Sequence, residues 1–155
     1  MRKRFTAIAM GVVLAAGLLA GCGSKEQTVT YQMESESNGL VMLDTMTFDA
    51  VGDKVEQLTE VLEIDMSEMD ADSQALLAQT YDEIIAMCED IEGAEVTSEL
   101  EGSVYRLHIV VDTTGDAPEK LTELGLLSID GDSDGISLKA TKSALEEGGY
   151  TQIEK

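Results

Sequence analysis

The sequence predicts an α+β domain in which an antiparallel sheet of about five strands is packed by two main helices. Three observations support this fold class. Apolar and polar side chains alternate in five separate segments, which is the period of a half-buried strand. Two other segments repeat apolar residues every three or four positions, as one face of a helix requires. Glycine-containing pairs separate several of the strand segments, which favours hairpins and therefore antiparallel pairing.

The first 21 residues have the layout of a secretory signal peptide. Basic residues at positions 2–4 precede an apolar run over 5–20, which is shorter than the ~20 residues of a spanning helix. The run ends in Leu19-Ala20-Gly21-Cys22, which is the lipobox pattern of bacterial lipoproteins as a class. We therefore expect cleavage before Cys22 and lipidation of its thiol. The protein would then be anchored to the cell membrane, on the extracytoplasmic face, without crossing it.

Removal of the predicted signal peptide leaves 134 residues, which is enough for one domain with a hydrophobic core. We assign residues 22–28 to the lipidated cysteine and a tether, and residues 29–155 to a single α+β domain. Residues 1–21 hold three of the ten basic residues and none of the 31 acidic ones, so the remaining chain has a formal charge of −24. This charge disfavours nucleic acid and anionic surfaces as partners.

The first three strands are predicted between residues 29 and 64. Alternation begins at Val29, and the second segment places Leu40, Met42, Met46 and Phe48 on one side. Asn38-Gly39 predicts a hairpin turn between these two strands. Gly52-Asp53 predicts the next turn, and a third strand begins after it.

A helix is predicted over 71–92, where Leu77, Tyr81, Ile84, Cys88 and Ile91 share one face. Only two cysteines are present, so lipidation of Cys22 leaves Cys88 without an intramolecular partner. Its position on this apolar stripe predicts a buried and unreactive thiol.

Two more strands, over 95–101 and 104–112, are joined by Gly102-Ser103. A short helix opens near Pro118. A last helix is capped by Ser137 and stopped by Gly148-Gly149.

The segment from Gly131 through Ser137 to Lys139, with Gly148-Gly149-Tyr150 after it, resembles the YehR-like bacterial lipoproteins. The lipobox, Gly52-Asp53-Lys54-Val55 and Ile91-Glu92-Gly93 are similar to that family as well. The resemblance spans the predicted mature chain and is densest at its end. It implies a small α+β domain of the cell envelope, and it transfers no catalytic residue because the family has no established activity.

The sharpest local pattern is an acidic, glycine-containing stretch. Asp130, Asp132 and Asp134 alternate and Gly135 follows, which reproduces the first half of a calcium-binding loop. Position 12 of such a loop would be Thr141 in place of the bidentate glutamate. The three aspartates are therefore a weak metal candidate, and the alternative is an acidic turn that leads into a capped helix.

No histidine, serine, cysteine or paired-carboxylate arrangement occurs at a catalytic spacing. The match of residues 131–135 to a nucleophile-elbow pattern lacks a downstream histidine, since His108 precedes it. We therefore expect a non-catalytic binding or interaction module of the cell envelope that needs no cofactor. Its partner would be an envelope protein or a small solute. The alternative is a cation- or solute-binding accessory lipoprotein that uses the acidic loop.

Overall fold

The computed structural model describes residues 25–37, 40–124, 126–127 and 135–154. The predicted signal peptide, Cys22, the Asn38-Gly39 turn and the three loop aspartates Asp130, Asp132 and Asp134 lie outside these ranges. The described residues form an antiparallel sheet with helices on one face, so the predicted α+β class is confirmed. No helix in these ranges is long and apolar enough to cross a membrane.

Within the described residues, six strands and three helices follow one another along the chain. In order they are β1 (Glu26–Ser37), β2 (Leu40–Val51), β3 (Lys54–Asp65), α1 (Ala71–Cys88), β4 (Ala94–Glu101), β5 (Val104–Asp112), α2 (Ala117–Glu123), α3 (Leu138–Glu147) and β6 (Thr151–Ile153). The sheet order is β4-β5-β3-β2-β1-β6, and each neighbouring pair is antiparallel. The long hairpins β1–β2–β3 form its centre.

The buried apolar side chains of the strands lie on the face that the helices cover. In β5 the buried residues are Tyr105, Leu107, Ile109 and Val111, while His108 is exposed, as the alternation predicts. The register between β2 and β3 shifts at Asp49/Ala50. This bulge turns both Val55 and Leu58 into the core although they are three positions apart.

Helix α1 begins where Asp70 accepts a hydrogen bond from the Ser73 N–H at 3.0 Å, which is an N-cap. Tyr81 of α1 stacks on Tyr105 of β5, with ring centroids 5.2 Å apart. The helix ends at Cys88, four residues before the predicted end at position 92. The reason is a tighter turn, in which the Ile91 N–H bonds to the Cys88 carbonyl and Ile91 enters the core.

Two other boundaries differ from the prediction. Strand β1 begins at Glu26, so the sheet takes up residues 26–28 of the predicted tether. Strand β6 was not predicted, because three residues are too few to show a period of two. It forms through its pairing with Thr30, Tyr31 and Gln32 of β1.

Candidate functional site

Helix α3 is fixed at its N-terminus by the turn between β2 and β3. The Val55 N–H donates to the Ile136 carbonyl at 2.9 Å. The Asp53 carboxylate accepts hydrogen bonds from the Ser137 hydroxyl and the Lys139 N–H, both at 2.8 Å. These bonds favour the ionised form and lower the pKa of Asp53. Two of the segments that carry the family resemblance therefore contact each other and set the start of the helix.

The C-terminus of α3 is fixed by residues that follow it. Gly149 has φ +93°, a conformation that lets the chain reverse towards β6. The Tyr150 N–H bonds to the Leu145 carbonyl at 2.9 Å, and the Tyr150 hydroxyl donates to Asp44 of β2. Tyr31 of β1 donates its hydroxyl to Glu146 at 3.1 Å. The helix is thus held at both ends above the central strands.

A cavity of about 440 Å³ lies between α3 and the sheet. Most of its lining is apolar and comes from β2, β3, α3 and the segment before α3: Met46, Phe48, Val55, Leu58, Leu126, Leu127, Ile136, Ala140, Ala144 and Leu145. The polar lining residues are Asp44, Glu60, Thr141 and Tyr150. A sizeable apolar cavity with a few convergent polar groups is the usual form of a small-molecule site.

The two carboxylates of the cavity stand on the covered face of the sheet. Glu60 pairs across the strands with Met46 on one side and Ile109 on the other. Asp44 pairs with Met33 and Leu62. Both acids therefore interrupt rows of apolar side chains.

The positions of the two acids are also diagonal to one another. Asp44 lies opposite Leu62, two positions from Glu60. Diagonal neighbours on one face of a sheet are close enough for their side chains to interact. The cavity floor therefore carries two interacting acids.

The environment of these acids raises the pKa of each. Burial, together with the charge of Asp44, raises the pKa of Glu60 to about 7. Burial also raises the pKa of Asp44, which the hydrogen bond from Tyr150 partly offsets. The pKa of Tyr150 is raised by burial and by the adjacent carboxylates. Near neutral pH Glu60 is therefore close to its titration midpoint.

One acceptor atom at this site has no partner within the described structure. Tyr150 donates to Oδ2 of Asp44, whereas Oδ1 of Asp44 is buried and makes no hydrogen bond there. A buried acceptor without a donor costs about 1–3 kcal/mol, so the site favours a molecule that brings a donor.

The charged partners that could neutralise the pair lie elsewhere. The ion pairs found among the described residues join Arg106 to Glu63 and Glu99, on the face opposite the helices. The lining contains no lysine, arginine or histidine within the described chain. The arrangement can therefore bind an apolar group, accept hydrogen bonds and hold a positive charge.

The residues singled out from sequence do not form this site. Cys22, Asp130, Asp132 and Asp134 lie outside the described residues, where their assigned roles stay predictions. No group of three or more potential metal-binding side chains occurs in the described part of the chain. Cys88, the last residue of α1, is buried as predicted, and burial raises the pKa of its thiol.

Asp44, Glu60 and Tyr150 were missed by the sequence analysis, although two of them carry a signal. Asp44 lies on the apolar side of the alternation in β2, between Met42 and Met46. Glu60 likewise lies on the apolar side of β3, between Leu58 and Leu62. An acid on the core side of an alternating strand is costly to bury and is a reason to look for a site.

Two curated relatives span nearly the whole chain. An uncharacterized lipoprotein of Listeria monocytogenes is 29% identical over 160 residues, which cover 100% of this chain and 99% of the relative. An uncharacterized lipoprotein of Listeria innocua is 28% identical over 145 residues, which cover 93% of this chain and 92% of the relative.

Two solved structures share the fold. The NMR structure of the Escherichia coli YehR protein superposes with a TM-score of 0.62 at 18% identity, covering 84% of this chain and 93% of that one. An NMR structure of a protein from Streptococcus pneumoniae TIGR4 gives a TM-score of 0.54 at 10% identity, covering 99% and 98% of the two chains. The model of the family described as "Protein of unknown function (DUF1307)" matches residues 27–151, from β1 into β6. The chain therefore belongs to this YehR-like family, whose function is unknown.

Proposed function

We propose that this protein is a non-catalytic, lipid-anchored binding module of the cell envelope that holds an apolar small molecule between its sheet and helix α3. The observation that carries the proposal is the cavity of about 440 Å³, with its apolar lining and few polar groups. Its volume equals that of about 15 water molecules, since each takes ~30 Å³ in the liquid. This is enough for a single-chain or one- to two-ring molecule.

Anchoring on the extracytoplasmic face is supported by the lipobox at residues 19–22 and by the relatives that are named lipoproteins. Only residues 23–25 lie between Cys22 and the start of β1 at Glu26, and three residues reach at most ~11 Å when extended. The binding module would therefore stay close to the bilayer surface, where apolar small molecules partition.

A non-catalytic role is supported by the lining itself. General acid–base chemistry by Asp44 and Glu60 needs a reacting group oriented within hydrogen-bond reach of them, and the hydroxyls of Thr141 and Tyr150, the other polar lining groups, already donate within the protein. The neighbouring side chains are instead those of Met46, Phe48 and Leu58, which offer apolar contact.

The proposal is tested with N-phenyl-1-naphthylamine, a neutral fluorophore whose emission rises in apolar surroundings. The protein is the chain from residue 22 to its end, with Cys22→Ser to prevent lipidation. We expect saturable one-to-one binding with a Kd of about micromolar, since roughly fifteen apolar atoms supply about that affinity. An absence of saturable binding would contradict the proposal.

A cavity-filling variant locates the probe. Ala144 lines the cavity from α3, and Ala144→Phe places a ring in the space that the probe needs. Ser143→Phe, on the same helix but outside the cavity lining, is the matched control. We expect Ala144→Phe to weaken binding by at least about tenfold, which corresponds to ~1.4 kcal/mol. Equal affinities in the two variants would show that the probe binds elsewhere.

A further inference from the structure

We propose that the ligand of this cavity carries a positively charged amine at one end of an apolar body, with the amine placed between Asp44 and Glu60. This inference rests on the proposed function and names the chemical class of the ligand. The apolar body would lie against Phe48, Leu58 and the apolar face of α3. The ammonium group would lie at the centre of the sheet, where the two acids interrupt the apolar rows.

Hydrogen bonding at the site fits a donor rather than an acceptor. Oδ1 of Asp44 is buried without a partner among the described residues, and Oδ2 already accepts from Tyr150. A primary ammonium brings three N–H donors on one atom. One donor can satisfy Oδ1, and a second can reach the carboxylate of Glu60. A carboxylate or phosphate on the ligand would instead add another acceptor to a site that lacks donors.

Charge complementarity leads to the same ligand class. The two acids repel each other, and the lining within the described chain supplies no cation. A cation between them relieves that repulsion in a poorly solvated site, where such pairing is stronger than in water. The formal charge of −24 on the predicted mature chain adds a long-range attraction for cations and opposes anions.

The titratable groups that face Glu60 set the expected pH dependence. They are Asp44 from β2, Tyr81 from α1 and Tyr150 after α3, and both tyrosines are neutral at physiological pH because their pKa values are raised. Since the pKa of Glu60 lies at about 7, this acid is protonated at low pH and ionised at higher pH. An alkylammonium stays charged throughout, because amine pKa values are about 10. Amine affinity should therefore rise with pH.

The test uses three ten-carbon probes that differ only at the head: decylamine, 1-decanol and decanoate. The affinity of each probe is measured by its displacement of N-phenyl-1-naphthylamine and, independently, by calorimetry. The protein is again the chain from residue 22 to its end with Cys22→Ser. At about pH 8 we expect decylamine to bind at least about tenfold more tightly than decanol, and decanoate to bind most weakly. Lowering the pH to about 5.5 should reduce the decylamine preference and leave decanol affinity nearly constant.

Two variants test whether the two acids cause the preference for decylamine over decanol. Glu60→Gln and Asp44→Asn keep shape and remove charge, and each should bring the affinities of decylamine and decanol closer together. Glu56→Gln, which removes an exposed charge from the same strand, is the control and should leave the preference unchanged. Because the two acid variants act at different strands, failure of one to fold leaves the other as the test.

The outcomes separate the inference from the proposed function. If none of the probes displaces the fluorophore and the fluorophore itself does not bind, the binding function fails. If decylamine and decanol bind equally, or if the preference survives in both acid variants, the cationic ligand class is overturned while the apolar site stands. A preference that depends on both acids and on pH supports the inference.

Discussion

The buried carboxylate of Glu60 predicts a protein that loses stability as the pH rises through neutrality. Its pKa is raised from 4.5 to about 7, chiefly by burial. Each pKa unit is worth about 1.4 kcal/mol, so the ionised form costs the folded state about 3 kcal/mol. In the unfolded chain Glu60 loses its proton near pH 4.5, whereas in the folded protein it keeps it until about pH 7. The folded state binds more protons in this window, so the free energy of unfolding falls as pH rises through it.

Glu60→Gln removes the titration while keeping the shape of the side chain. We expect the variant to gain about 3 kcal/mol in free energy of unfolding, relative to the wild type, between about pH 4 and pH 8. Any constant cost of burying the amide is the same at both pH values and cancels in this comparison. The measurement is urea denaturation followed by circular dichroism, for both proteins at each pH.

Glu56→Gln controls for the loss of one negative charge on the same strand. Glu56 is exposed, so we expect its variant to follow the wild-type pH profile. If the Glu60→Gln and wild-type profiles run parallel from about pH 4 to pH 8, Glu60 is solvated and the electrostatic description of the cavity is wrong. If Glu60→Gln instead loses stability relative to the wild type as the pH rises, the raised pKa of Glu60 is refuted more strongly.

Four further predictions concern separate parts of the chain. Cys22→Ser should release the protein from the membrane fraction or leave it unprocessed, and membrane retention at the mature size would contradict the lipid anchor. Cys88 should react with a thiol reagent at least about a hundredfold more slowly in the native protein than in denaturant. Asp53→Ala should lower the melting temperature, whereas Asp116→Ala should have less effect because Asp116 makes no side-chain cap on α2. Calcium should bind the acidic loop at about millimolar Kd or weaker, and a micromolar site abolished by Asp132→Ala would contradict this.

Much of the fold could be predicted because its strands are long and bury apolar side chains on one face only. β5 was predicted at its observed bounds, Val104–Asp112, since four of its apolar residues occupy every second position, from Tyr105 to Val111. Two of the features that were missed, strand β6 and the end of α1, depend on tertiary contacts. β6 has only three residues, and it exists because β1 offers a free edge. α1 stops at Cys88 because Ile91 turns into the core, whereas periodicity alone continues the helix to Ile91.

The candidate site was beyond the sequence analysis for a different reason. Asp44 and Tyr150 are 106 positions apart, and no periodic pattern relates them. Their contact requires α3 to lie above β2, which in turn depends on Asp53 at one end of the helix and on Gly149 at the other. Most acidic residues lie on the solvated surface of a protein, so the residue type alone did not point to these acids. The position of Asp44 on the apolar side of β2 was the available signal.

The cost of Glu60 gives a reason to regard the cavity as a binding site rather than as a packing defect. An apolar residue at this position would match Met46 and Ile109 beside it and would avoid the cost of ionisation at neutral pH. A group that lowers stability in the free protein is explained if a bound cation restores that free energy. Ligand affinity and the pH dependence of stability then have a common origin, since pairing with an ammonium lowers the pKa of Glu60. A saturating amine should therefore flatten the pH profile of stability in the wild type and leave Glu60→Gln nearly unchanged.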